Sequence, residues 1–156
     1  MIYLFINDFV DFNHLTPLII YLKKRGIKFK LIIIFRNLKK RSKIYFYRDK
    51  KNILLHPFLE GVDIIRLAPQ ALPLYLRYIK GLIIGISPTI YRLCAIYKNP
   101  KCSYVAISYF NEMANEILDI VDLLFVNGPI DANNLQSSTD KIKLGIPYWD
   151  LYGDRN

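Results

Sequence analysis

The sequence predicts an α/β fold: a Rossmann-like, doubly wound, mostly parallel sheet with helices on both faces. Three observations predict it. Short apolar runs rich in Ile, Leu, Val and Tyr recur along the 156 residues. Most of them lack in/out alternation, as expected where helices cover both faces of a parallel sheet. Segments of helix length lie between them, so strand and helix keep alternating. One domain of this length buries a sizeable core. Neither an internal repeat nor a low-complexity segment interrupts it.

In chain order the strands are expected at Ile2–Ile6, Lys30–Phe35, Asp63–Leu67, Leu82–Ile86, Tyr104–Ile107, Leu123–Val126 and Ile142–Leu144. The clearest helix is His14–Arg25, where Leu15, Leu18, Ile19 and Leu22 fall at i, i+3, i+4 and i+7. Asn13 is its expected N-cap, and Pro17 would lie in its first turn. Lys23, Lys24 and Arg25 suit the negative end of the helix dipole, with Gly26 at the position that follows the cap. Further helices are expected over about Pro69–Lys80, Pro88–Tyr97, Asn111–Ile120 and Ala132–Ser137. In such sheets ligands bind outside the carboxyl ends of the strands. That rule selects the loops Asn7–Asn13, Ser87–Thr89, Ser108–Glu112 and Asn127–Asp131.

Composition excludes several classes. A chain that is 53% hydrophobic is not disordered, and two cysteines do not make a disulfide scaffold. Cys94 and Cys102 lack the spacing and the neighbouring His ligands of a metal site, so they read as a buried thiol pair and no metal is expected. The longest apolar run near the middle, Gly81–Tyr91, is well short of the ~18–20 residues a membrane span needs. The amino-terminal residues lack the basic region and cleavage site of a signal peptide and read as a buried strand. A cytoplasmic protein is expected, with room for peripheral attachment to the inner face of a membrane.

The charge is uneven. The net charge is +9, yet residues 23–51 hold 13 basic residues and one acid, and the remainder holds 9 basic and 12 acidic residues. Lys23, Lys24 and Arg25 have a local explanation at a helix end. The surplus lies in the connection after the second strand, on Arg36, Lys39, Lys40, Arg41, Lys43, Arg48, Lys50 and Lys51, with Tyr45, Phe46 and Tyr47 among them. Three readings apply to it: a solvated loop, a patch for an anionic membrane surface, or a polyanion site. Nucleic acid ranks last because no recognisable nucleic-acid module surrounds the segment.

The residue with the most chemical interest is His14. It would sit at the mouth of the sheet and at a helix start, where the positive dipole end favours a neutral imidazole able to act as a general base. The alternative is a histidine that hydrogen-bonds the loop backbone.

At this point the sequence resembles a family. Asn13-His14-Leu15-Thr16-Pro17-Leu18, followed by Leu22-Lys23-Lys24-Arg25-Gly26, looks like the "G-H-hydrophobic-x-P … L-x-x-R-G-H" opening of GT-B-fold glycosyltransferases. Ser108-Tyr109-Phe110-Asn111-Glu112, Ala114-Asn115-Glu116-Ile117-Leu118 and Val121-Asp122-Leu123-Leu124-Phe125-Val126 are similar to a loop, helix and strand of the peptidoglycan N-acetylglucosaminyltransferases. Lys141–Pro147, then Asp150, resembles the stretch that closes the N-terminal domain in many such enzymes, including the polyglycerol-phosphate transferases.

The resemblance implies two Rossmann-like domains, the first binding the acceptor and the second holding a nucleotide-sugar donor. This chain would be the acceptor-side half, inactive alone. It would carry no cofactor itself, and would need a nucleotide-binding C-terminal domain or partner subunit. The acceptor would be a sugar or a lipid-linked sugar. By the same resemblance His14 aligns with the catalytic base, and Asn13, Ser87, Ser108, Tyr109, Asn111, Glu112, Asn127 and Gly128 fall where acceptor contacts would lie.

Two departures stand out. The loop Asn7–Asn13 has no glycine and carries Asp8 and Asp11, so a diphosphate held as in the peptidoglycan enzymes is not expected. Where plant-type members place an Asp that orients the histidine, this chain has Ser87, leaving Asp11 and Glu112 as substitutes or as plain loop residues. Two other readings compete. One is the N-terminal half of a UDP-N-acetylglucosamine 2-epimerase-like enzyme, whose "G-T-R-P-E" loop is missing here. The other is a non-catalytic basic α/β module that binds membrane or nucleic acid.

Overall fold

A computed structural model of the chain describes residues 1–34, 56–86, 88–108, 117–126 and 142–144. The strands are β1 (Ile2–Ile6), β2 (Phe29–Ile34), β3 (Asp63–Leu67), β4 (Gly81–Gly85), β5 (Cys102–Ser108), β6 (Leu123–Val126) and β7 (Ile142–Leu144), and the helices are α1 (Phe9–Lys24), α2 (Leu72–Tyr78) and α3 (Pro88–Ala95). The seven strands form one sheet in the order β3-β2-β1-β4-β5-β6-β7. Every pairing is parallel. The α/β, Rossmann-like expectation therefore holds.

Each central strand divides its side chains between two cores, which is why its sequence is apolar at every position. From β1, Leu4 and Ile6 join Leu31 and Ile33 of β2 beneath Phe12, Leu15, Ile19 and Leu22 of α1. Tyr3, Phe5, Ile32 and Ile34 point to the other face, under Leu72 and Leu76 of α2 and Ile90, Tyr91 and Cys94 of α3. Chain steps from β1 to β2 and from β4 to β5 run in opposite directions across the sheet, and their helices lie on opposite faces. Right-handed crossovers require that arrangement.

The helix expected over Pro69–Lys80 is a 3-10 turn, Pro69–Ala71, followed by α2, the one expected over Pro88–Tyr97 ends at Ala95, and the first part of the one expected over Asn111–Ile120 lies outside the described residues. The largest difference is at the start of α1. α1 begins at Phe9, with Asp8 as N-cap, rather than at His14 with Asn13 as cap. Pro17 is thus the ninth helical residue, not a first-turn residue. Lacking an N–H, it leaves the Asn13 carbonyl without its helical donor. The hydroxyl of Thr16 donates to the Phe12 carbonyl at 2.8 Å, one residue away. The other end is as expected. Gly26 adopts φ 63, its N–H donates to Lys23 O, and the Ile27 N–H donates to Leu22 O. That pair of bonds is a Schellman motif.

A buried asparagine ties α2 to the turn before β5. Asn99 Nδ2 donates to the carbonyls of Leu76 and Ile79, and its Oδ1 accepts the Lys101 N–H at 2.9 Å. The Leu76 carbonyl in the last turn of α2 and the Ile79 carbonyl of its cap residue, which have no helical donor, are satisfied this way. Cys94 and Cys102 are both buried and free, in keeping with the thiol-pair reading. No helix among the described residues is long and apolar enough to cross a membrane.

Candidate functional site

In this strand order the chain builds outward in opposite directions from β1 and β4, and ligands of open α/β sheets bind at the carboxyl ends of the strands at such a switch point. The chain leaves β1 through Asn7 and Asp8 and enters α1 at once. Asp8 sits in extended backbone, φ −148 and ψ −175, and its Oδ1 accepts the Asp11 N–H at 2.9 Å. Asp11 is only 3% exposed, and its Oδ2 accepts the Asn7 N–H at 2.8 Å. Two carboxylates of the chain itself therefore occupy the start of α1. The positive end of the helix is already neutralised, and an incoming phosphate would meet negative charge.

Asn7 is itself buried, at 8% exposure. Its Oδ1 has no hydrogen-bond partner among the described residues. An unmet acceptor of this kind suits a ligand hydroxyl or amine, the opposite of a phosphate oxygen.

His14 is the sixth residue of α1, in its second turn, half-buried. Its imidazole titrates below the ordinary histidine value because burial disfavours the charged form, while the Asp8 carboxylate pulls the other way. The neutral ring expected from the sequence is thus obtained for a different reason. The dipole effect fades beyond the first turn, so burial is the cause. Asp11, a possible orienting partner, directs one carboxylate oxygen to the Asn7 backbone, and the Asp8 carboxylate acts to raise the His14 value.

Asn13, expected as cap and acceptor contact, is exposed on α1 one residue before His14. Ser108 ends β5, paired with Val126 of β6. Ser87, Tyr109, Asn111, Glu112, Asn127 and Gly128 lie outside the described residues, as does the basic segment from Arg36 to Lys51 and the helix expected over Ala132–Ser137.

Three contributors escaped the sequence reading. Tyr91 of α3 is fully buried, and its hydroxyl reaches the carbonyls of Gly85, at 3.0 Å, and Val105. It thereby braces the carboxyl end of β4 against β5. Burial holds its phenol well above the ordinary tyrosine value, so it stays a neutral donor. His56 packs edge-on against Phe12 of α1, ring centres 5.3 Å apart. From the sequence Asn7 is simply the first residue of a loop. Tyr91 and His56 gain their roles from Val105 and Phe12, distant along the chain, and the burial of Asn7 follows from how the start of α1 folds against it.

Among the described residues no group of three His, Cys, Asp or Glu side chains could hold a metal ion. The sequence matches no protein-family model and no curated protein. What the site can do follows from its own geometry: a neutral imidazole, two carboxylates and a buried acceptor at the switch point of a parallel sheet.

Proposed function

We propose that this chain is the acceptor-side domain of a two-domain glycosyltransferase of the GT-B architecture. It would serve transfer of a sugar, or a glycerol-phosphate-type group, from a nucleotide-activated donor during surface polysaccharide or glycoconjugate synthesis. The observation that carries the reading is positional. The described parts of the three resembling motifs fall on α1, on the end of β5 and on β6, and on β7, and parallel pairing turns the carboxyl ends of those strands, and of the β1 strand that leads into α1, toward one edge.

In this reading His14 removes the proton of the acceptor hydroxyl as its oxygen attacks the donor carbon and the nucleotide departs. Its Nδ1 is buried, so Nε2 is the nitrogen that takes the proton. Asn7 Oδ1 accepts a hydrogen bond from a second hydroxyl, and Asp8 and Asp11 disfavour an acceptor that brings a phosphate to this loop.

The test is reconstitution. The downstream reading frame and the neighbouring genes are searched for a second Rossmann-like domain, whose absence from both would overturn the reading. A domain found there is joined to the chain, and nucleotide release from nucleotide sugars is followed. The chain alone should be inactive, and the completed protein should turn over only with an acceptor present. His14→Ala should lower kcat by about 10²–10⁴-fold, the usual span for a general base. Near-normal turnover would remove His14 from catalysis. Epimer formation without any acceptor would replace transfer by the epimerase reading.

A further inference from the structure

The edge of the sheet opposite the candidate site has a composition of its own. Because all strands are parallel, the residues that lead into them lie together at their amino ends. Ile27 and Lys28 lead into β2, Tyr78 and Lys80 into β4, and Ile96, Lys98 and Lys101 into β5. In the sheet these strands run β2-β1-β4-β5, so the three segments form one row about 14 Å across at ordinary strand spacing.

This row exposes large apolar side chains: Ile27 at 41%, Ile96 at 68% and Tyr78 at 82%. They are held outward by ordered backbone. The Schellman bonds fix Ile27, and the Asn99 side chain locks the end of α2 to the turn after Ile96. The segments that carry them hold charge of one sign. Residues 23–30 and 77–101 contain ten basic residues and no acid.

The acids that face this edge come from other elements. Asp63 pairs with Lys30 at 2.6 Å and Asp122 approaches Lys98 at 3.6 Å. Glu60 and Asp119 are exposed. Among the described residues, four acids against ten bases leave a large positive excess. Helix dipoles explain Lys23, Lys24 and Arg77 at the carboxyl ends of α1 and α2. They do not explain Lys28, Lys80 and Lys101, nor three exposed apolar side chains in one row.

We propose that this edge docks onto an anionic lipid bilayer, with Ile27, Tyr78 and Ile96 entering the headgroup boundary and the surrounding lysines facing acidic headgroups. A bilayer fits better than a nucleic acid, because two of the three apolar groups are aliphatic and offer no ring on which a base could stack. A hollow of about 330 Å³ beside Ile27, lined by Lys23, Lys28, Lys30 and Asp63 among others, adds room for a headgroup. Docked this way, the loop carrying Asp8 and Asp11 stands one strand length, roughly 17 Å, away from the negative leaflet.

Flotation of the full chain with vesicles tests this. Binding is expected to phosphatidylcholine vesicles containing phosphatidylglycerol, not to phosphatidylcholine alone, and it should weaken as salt rises. Lys28→Glu/Lys80→Glu/Lys101→Glu should lower partitioning by well over tenfold, at roughly fivefold per lost charge. Tyr78→Ser/Ile96→Ser should also lower it. Both variants change exposed positions, and an unaltered melting curve shows that the fold is kept. A parallel variant, Lys39→Gln/Lys40→Gln/Arg41→Gln/Lys43→Gln, should retain most of the binding. The proposal is overturned if anionic vesicles are not bound, if the edge variants bind like the parent, if the parallel variant alone abolishes binding, or if single-stranded RNA is captured in preference to vesicles.

Discussion

At the scale of single residues, His14 shows how one outcome can have two possible causes. A helix start and a half-buried second turn both favour neutral imidazole, the first through the dipole and the second through lost hydration. The structure selects the second, and this has a measurable consequence. Burial makes the folded chain a weaker proton acceptor than the unfolded chain, so the unfolded state takes up a proton first as pH falls. The stability contributed by neutral His14 is fully present above its ordinary value of 6.5 and is lost as pH drops from there through the lower folded value. NMR titration of the ring should give a midpoint below 6.5. A midpoint at or above that value would show that burial is not in control.

At the scale of elements, α1 is the part the sequence described least well and the part that matters most to the site. Its second half was legible because Leu15, Leu18, Ile19 and Leu22 follow the helical period and Gly26 ends it. Its first turns were not, because Asp8, Asp11 and Asn13 are residues that favour turns and caps. The structure resolves the conflict with contacts from outside the segment. Phe12 is buried among Leu4, Ile6 and Leu59, and Asp11 accepts the Asn7 N–H. Helix is then the conformation that satisfies both. Removing the cap with Asp8→Ala should cost about 1 kcal/mol, and Asp8→Asn should keep most of it. The alanine variant should also move the His14 midpoint lower still, because the Asp8 charge now raises it. Chemical denaturation and the same NMR titration check the two effects separately.

At the scale of the whole molecule, the seam between β1 and β4 joins the two directions in which the sheet grows, and it depends on one glycine. Gly81 has φ 138, and a Cβ placed there would stand 2.1 Å from the carbonyl oxygen of Met1. That same oxygen accepts the Leu82 N–H at 3.0 Å. A side chain would push β1 and β4 apart at their amino ends. Gly81→Ala should therefore destabilise the entire fold, by at least 1–3 kcal/mol from the backbone conformation alone, and lower the melting temperature accordingly. The molecule is also polar in charge along its strands. Asp8 and Asp11 lie at the carboxyl edge, and most of the described lysines gather at the amino edge. Helices running antiparallel to the strands deliver Lys23, Lys24 and Arg77 to that side at their carboxyl ends, and the segments that lead into β2, β4 and β5 add Lys28, Lys80, Lys98 and Lys101.

The sequence by itself determined the class of fold, because strands covered on both faces must be apolar throughout and that pattern needs no knowledge of partners. It also determined the carboxyl end of α1, where Gly26 and the preceding cations act over a few residues. Tertiary structure decided everything that depends on distant groups. It fixed where α1 begins, why His14 stays neutral, the buried Asn7 acceptor beside Asp11, the bracing hydroxyl of Tyr91, and the Asn99 tie between α2 and β5. It also divided the positive charge differently. The sequence drew attention to the densest run, Arg36 to Lys51, whereas the row of Ile27, Lys28, Tyr78, Lys80, Ile96 and Lys101 is scattered along the chain. Only parallel pairing, which brings every strand entrance to one edge, makes it a surface.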